Sequence, residues 1–324
     1  MITFDDIEAA AARLEGIHVR TPLIRNAELD AVTGARVYLK PECMQLTGSF
    51  KIRGAYNRLV QLNAAEREAG VVAWSSGNHA QGVSAAAAML GIHAAIVMPE
   101  DAPRPKLENT KRLGGEVITY DRYTGDREAI ARKIATQRGA ALVPSYDHPH
   151  IIAGQGTIGL EIAADMAAAG TDPQIVAIPC GGGGLSSGCA VALKAHFPDV
   201  AIHAVEPVDF DDTLRSLQSG ERQSIDSDAR SICDALQSPS PGELTFAINR
   251  ELLAGVPVVS DDEVRAAMRF AFQNLKLVVE PGGAVGLAAL LCGKLEVRGK
   301  TVVVVLSGGN VDVDEYAEIQ TEPA

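Results

Sequence analysis

Apolar and polar positions along this chain switch period repeatedly, and the switches mark its elements. Residues 4–15 read as an amphipathic helix and residues 37–40 as a short strand. Phe50, Ala55, Leu59 and Leu62 then recur at roughly helical spacing. They follow Thr47 and Ser49, two good helix caps, so the pattern predicts a helix with Lys51 in its first turn. From about residue 70, short apolar runs alternate with helical patterns. Strands are expected at 71–74, 94–98, 116–120, 141–143, 175–179, 201–205 and 301–306. Helices are expected from the turn at 75–78 to about 90, and at 105–113, 127–137, 153–169, from 185, at 261–275 and at 284–292. Residues 208–250, rich in Asp, Ser, Gln and Pro, predict loops with short helices. Strands alternating with helices predict an α/β fold of open, mostly parallel sheets covered by helices on both faces.

In such folds ligands collect where strands end and helices begin, and this chain loads three of those turns. Cys180 is followed by Gly181, Gly182, Gly183, Gly184, Leu185, Ser186, Ser187 and Gly188. Consecutive glycines let successive backbone amides converge, and the helix start behind them adds positive potential, which together make an anion cradle suited to a phosphate. The alternative is a tight turn with no ligand. The second turn is Ser75, Ser76, Gly77, Asn78 and His79, a helix start whose hydroxyls and amide suit a carboxylate, although Ser and Asn are also ordinary caps. The third is Ser307, Gly308, Gly309 and Asn310, where Ser307 can meet a ring nitrogen or belong to a simple turn.

Lys51 adds reactivity. The helix dipole and nearby Arg53 both disfavour a second positive charge there, pushing the lysine toward the neutral amine that condenses with a carbonyl. Reactive lysine, phosphate cradle and carboxylate-binding helix start together specify pyridoxal 5'-phosphate handling an amino acid. Glu206, after the strand at 201–205, mimics the acidic residue of a dinucleotide fold, so a nicotinamide-dependent oxidoreductase stays as a rival. A non-catalytic amino-acid sensor is a second rival. His148 and His150 flank Pro149 and lack further ligands nearby, which predicts a turn with one packed histidine.

Composition narrows the field. Acidic residues outnumber basic ones 41 to 29, a net charge of −12 that repels nucleic acid and anionic membranes. The five cysteines are scattered and contain no CxxC pair, so neither a disulfide framework nor a zinc ribbon is indicated. A reducing, cytoplasmic setting is expected, with no membrane-spanning stretch.

With these residues in view, the chain resembles the serine/threonine dehydratase and serine racemase family of pyridoxal-phosphate enzymes, of fold type II, the tryptophan-synthase-β type. The motifs that carry the likeness run from Thr21-Pro22-Leu23 to Gly309-Asn310-Val311-Asp312. They include the segment from Gly48 to Ala55, the Ser75 turn, Ala153-Gly154-Gln155-Gly156-Thr157, the glycine quartet and Glu280-Pro281. The resemblance implies two domains, a large one of residues 1–68 and 148–324 that binds the cofactor, and a small one of 69–147 that closes over the substrate. It implies Lys51 as the Schiff-base lysine and Cα base, Phe50 beside the ring and Asn78 on the ring hydroxyl. Gly181, Gly182, Gly183, Gly184 and Leu185 would hold the phosphate, with Ser307 at the pyridine nitrogen. Ser75, Ser76, Gly77, Asn78 and His79 would surround the substrate carboxylate, and Ser76 permits racemisation by serving the opposite face. Glu206, Asp212 and the carbonyl of Phe210 match a divalent-cation site of the racemase-like branch, suited to Mg²⁺ or Ca²⁺. A homodimer is also implied.

The activity expected is β-elimination, an ammonia-lyase converting L-serine or L-threonine to a 2-oxo acid and ammonium. Serine racemase and 3-hydroxyaspartate dehydratase are alternatives on the same scaffold. Arg127 matches an arginine of that branch that faces the substrate's distal side. Its guanidinium would suit a β-carboxylate, and the alternative is a solvated arginine at a helix start.

Overall fold

The computed structural model describes residues 2–322 apart from Pro103, Arg122 and Ser227. The chain opens with α1 (Phe4–Leu14), β1 (Ile24–Arg25), α2 (Ala27–Thr33), β2 (Arg36–Pro41), α3 (Lys51–Leu59) and α4 (Ala64–Ala69). It continues through β3 (Val71–Trp74), α5 (Asn78–Leu90), β4 (Ala94–Pro99), α6 (Arg104–Arg112), β5 (Glu116–Tyr120), α7 (Arg127–Arg138) and β6 (Ala141–Leu142). Next come α8 (Pro149–Ala168), β7 (Ile175–Pro179), α9 (Gly184–His196), β8 (Ala201–Pro207), α10 (Asp212–Ser219) and α11 (Glu243–Leu252). The chain ends with β9 (Val258–Val259), α12 (Asp261–Phe270), α13 (Pro281–Leu291), β10 (Thr301–Leu306) and α14 (Val313–Thr321).

These strands form two sheets. The larger runs β1-β2-β10-β7-β8-β9 and the smaller β5-β4-β3-β6. Among the described residues every strand pairing is parallel except β1 with β2. Burial on both faces explains the unbroken apolar runs: every residue of β4, β7 and β10 is buried. Each such Val, Ile or Leu contributes roughly 1.5–3 kcal/mol by leaving water, so the apolar runs occupy the sheet centres. The smaller sheet shares its core with the lysine helix, because Ile52, Ala55 and Leu59 of α3 pack with Val71, Ala73 and Ile96.

Strand order places the chemistry. β10 lies between β2 and β7, so the turns after β7 (Gly181 onward) and after β10 (Ser307) leave the same sheet edge side by side. Phe50, just ahead of Lys51, is tied to that edge by its amide, which donates to the Ser307 carbonyl at 3.2 Å. Behind α3 lies a buried ionic cluster. Arg53 donates to Glu42 at 2.8 Å and to Glu161 at 2.6 and 3.0 Å, and Lys40 also reaches Glu161, at 2.5 Å.

Several local expectations need correction. Thr47 and Ser49 do not cap α3. Phe50 occupies the cap position without a side-chain bond, and both hydroxyls are buried without a partner among the described residues. The reason is the β-bridge from Ser49 to Gly308, which turns this segment inward. His148-Pro149-His150 is not a turn but the start of α8, which begins four residues before the predicted 153. Pro149 takes the first turn, and His148 accepts from the His150 amide at 3.0 Å. α13 likewise starts early, at Pro281. The helix expected over 261–275 is α-helical to Phe270 and closes with a single π-turn over residues 271–275.

Candidate active site

A cavity of about 1200 Å³ opens between the carboxyl edges of the two sheets. Phe50, Lys51, Ser75, Ser76, Gly77, Asn78, His79, Arg127, Gly181, Gly182, Gly183, Gly184, Leu185 and Ser307 all line it. They come from separate stretches of chain that the two sheets bring to one place. Glu206, Phe210 and Asp212 are not among its lining residues.

Lys51 is partly buried, its ammonium nitrogen 3.0 Å from the Ser145 carbonyl and 5.1 Å from the centre of the Phe50 ring. Burial lowers its pKa from 10.5 to about 8, with Glu280 pulling the other way. Desolvation does the work that sequence reasoning gave to Arg53, whose guanidinium is already matched by Glu42 and Glu161. Glu280 is the unforeseen partner. It is 2% exposed, and burial, reinforced by Asp234, raises its pKa to about 8.

Asn78 opens α5 and spends both ends of its amide. Its nitrogen donates to Glu280 at 2.6 Å, and its oxygen accepts from Asn310 at 2.7 Å. His79 is buried, with Nε2 2.9 Å from the Val143 carbonyl. Burial beside Lys51 depresses its pKa to about 3, so the ring is neutral and donates from Nε2. Ser76 and Ser307 make no side-chain hydrogen bond among the described residues and line the cavity. Arg127, at the first position of α7, is exposed and has no carboxylate partner among the described residues. The other lining cations at the mouth are matched, Lys106 by Asp234, Arg132 by Glu128 and Arg222 by Glu243.

The glycine loop fits an anion. The amides of Gly181, Gly182, Gly183, Gly184 and Leu185 donate to no acceptor among the described residues, while the loop's carbonyls are taken from behind. Gly183 has φ 91°, and a Cβ on Gly182 would lie 2.5 Å from the Tyr146 ring. Side chains are therefore excluded, and a concave bed of free donors remains at the start of α9. Tyr146 and Ser145 escaped sequence reasoning. Their only signal was their position just past a strand at a sheet's carboxyl edge. Glu280 and Asn310 were visible within motifs, without roles.

Away from the cavity, the Glu206 carboxylate accepts from the amides of Thr213 and Leu214, each at 3.0 Å, and so caps α10. That orientation leaves it unable to serve as the ribose acid of a dinucleotide site in this cavity. Both oxygens of Asp212 are buried without a partner among the described residues. Burial pushes both carboxyls up, and for Glu206 the neighbouring Asp212 charge adds to it. No third Asp, Glu, His or Cys joins them among the described residues.

Residues 14–308 match the family described as pyridoxal-phosphate dependent enzyme. The chain is 47% identical over 318 residues to L-threo-3-hydroxyaspartate ammonia-lyase of a Pseudomonas species, covering 98% of each chain. It is 39% identical over 320 residues to serine racemase of Schizosaccharomyces pombe, covering 99% of this chain and 98% of that one. Among solved structures it is similar to maize serine racemase, with a TM-score of 0.92 and 36% identity over 98% of this chain and 96% of that one.

Proposed function

The chain belongs to the family of pyridoxal-phosphate dependent enzymes, and from that premise we propose that it is an ammonia-lyase performing β-elimination on a hydroxy amino acid to give a 2-oxo acid and ammonium. The observation that carries this reading is one cavity holding an amine of lowered pKa opposite a loop of unclaimed amides. When bound, pyridoxal 5'-phosphate supplies a carbonyl for amines and an electron sink for the bond broken at Cα.

The chain's own residues divide the rest of the work. The amides of Gly181, Gly182, Gly183, Gly184 and Leu185 hold the phosphate, Ser307 meets the ring nitrogen, and Asn78, oriented by Glu280 and Asn310, meets the ring oxygen. The start of α5, with Ser75, Ser76 and Gly77, receives the substrate carboxylate at the positive end of the helix. His79, neutral and tied to Val143, shapes that wall without adding charge. The amine of Lys51, neutral above about pH 8, takes the Cα proton. Ser76, the hydroxyl available for the opposite face, permits racemisation as a side reaction.

L-Serine and L-threonine satisfy these contacts and leave Arg127 idle. A second reading, 3-hydroxyaspartate as substrate, is favoured by that unmatched guanidinium on the cavity wall. The test is ammonium and 2-oxo acid production from L-serine, L-threonine and the 3-hydroxyaspartate isomers. Visible absorbance that shifts on adding substrate and products that vanish in Lys51→Ala are expected. An unchanged Lys51→Ala enzyme overturns the reading.

We also propose a divalent cation, Mg²⁺ or Ca²⁺, held by Glu206, Asp212 and the Phe210 carbonyl; the unpartnered oxygens of Asp212 support it. Residues 69–147 form the small domain, and 1–68 with 148–324 the large one. The protein works as a homodimer, which its molar mass in solution tests. Five free cysteines suit a cytoplasmic enzyme, and among the described residues no helix is long and apolar enough to cross a membrane.

A further inference from the structure

The residue before α11, Gly242, has no side chain with which to cap the helix. The cap comes instead from Asp147, on a different stretch of chain and 96 residues before the first amide it serves. Its carboxylate accepts from the amides of Glu243 at 2.9 Å, Leu244 at 2.9 Å and Thr245 at 3.3 Å. The fit leaves no room for substitution, since a Cβ on Gly242 would overlap the Asp147 carboxylate.

The first turns of α11 in turn hold the back of the glycine loop. The Gly182 carbonyl accepts from the Thr245 hydroxyl at 2.7 Å and the Gly242 amide at 3.3 Å. Asn249, one turn further along, donates to the Ser186 hydroxyl at 3.0 Å, which donates to the Gly183 carbonyl at 3.1 Å. In a trans peptide the carbonyl and the following N–H point in opposite directions. Pinning the Gly182 carbonyl toward α11 therefore turns the Gly183 amide away from it, while the Gly183 carbonyl is held inside α9 by the Ser187 amide at 2.9 Å and the Ser187 hydroxyl at 2.7 Å. Asp147 also sits on the segment that returns from the smaller sheet, directly after Ser145, whose carbonyl receives Lys51, and Tyr146, whose ring lies over Gly182.

We propose that Asp147 is a positioning residue for the cofactor phosphate: by capping α11 it fixes the Gly182 carbonyl and so the direction of the Gly183 amide, and it links the glycine loop to the segment crossing back from the smaller sheet. This rests on the pyridoxal-phosphate reading, and the test separates the two. Affinity for pyridoxal 5'-phosphate and for pyridoxal, which lacks the phosphate, is measured on wild type, Asp147→Ala and Asp147→Asn. Loss of a helix cap predicts about a tenfold weaker hold on the phosphorylated compound in Asp147→Ala. Asp147→Asn, which keeps one acceptor oxygen, should fall between it and wild type, and pyridoxal affinity should change by less than about twofold in both. Unchanged affinity for the phosphorylated compound, or equal losses for the two, overturns the proposal. If Asp147→Ala does not fold, the same comparison in Asp147→Asn decides between these outcomes. A wild-type chain that holds neither compound sinks the cofactor reading itself, and this proposal with it.

Discussion

Arg127 and Glu280 show how burial and pairing assign work to single side chains. Arg127 presents a guanidinium to the cavity with no carboxylate to answer it among the described residues. A charge-assisted bond of this kind is worth about 1.5–3 kcal/mol. Arg127→Ala should therefore lower kcat/KM for 3-hydroxyaspartate by about tenfold to a hundredfold and leave serine nearly untouched. Equal losses on both substrates remove the distal-carboxylate role. Glu280 and Lys51 titrate in opposite senses. Glu280 rises from 4.5 to about 8 in the folded chain, so its folded state binds more protons than the unfolded chain and stability falls as pH climbs through that window. Lys51 drops from 10.5 to about 8, so its contribution to stability increases between about pH 8 and 10.5. Without cofactor, the pair should place a stability minimum near pH 8. Urea unfolding across pH should show the descending limb flattened in Glu280→Gln, and an identical profile would count against burial as the cause.

Among the elements, α3 and α8 are brought together by two glycines. A Cβ on Gly154 would lie 2.6 Å from the Gly54 Cα, and one on Gly54 would lie 2.5 Å from the Gln155 side-chain nitrogen Nε2. The facing atom at Gly154 is backbone, so little can yield. Gly154→Ala should cost roughly 1–3 kcal/mol in chemical denaturation, with the lysine helix displaced and cofactor retention reduced. Wild-type stability in that variant would mean the helices slide without penalty. Most elements were legible because their periods were clean. β3, β5, β7 and β10 lie where short apolar runs put them. The misses have local causes. α8 starts early because a proline flanked by histidines marks a first helical turn as readily as a turn of chain. Short pieces such as β1, β9 and α4 carry too few residues to show a period.

For the whole molecule, the question is what holds the layers in register around the cavity. The Arg53, Glu42, Glu161 and Lys40 cluster joins β2, α3, α8 and the residue after β2, and Thr21 adds a 2.7 Å bond to Glu42. Removing one charge from such a set leaves another buried and unmatched, which fixes the cluster's composition more tightly than its net contribution to stability. Glu206 and Asp212 lack an internal cation of that kind among the described residues. Chelator treatment should lower the melting temperature and activity, with Mg²⁺ or Ca²⁺ restoring both in wild type and not in Asp212→Ala. A native protein indifferent to chelator and to added ion removes the cation.

The amino-acid order alone determined the α/β alternation, the three glycine-bearing turns and the place of Lys51 at the start of a helix, because each of these is written in spacing, glycine content or a contiguous motif. Why that lysine is easily deprotonated, which residues orient Asn78, and how α11 acquires its cap were decided only by the fold. Each depends on groups such as Glu280, Asn310 and Asp147 that lie far from their partners along the chain. Desolvation and hydrogen bonding act through space, so they take a value only once the two sheets have closed around the cavity.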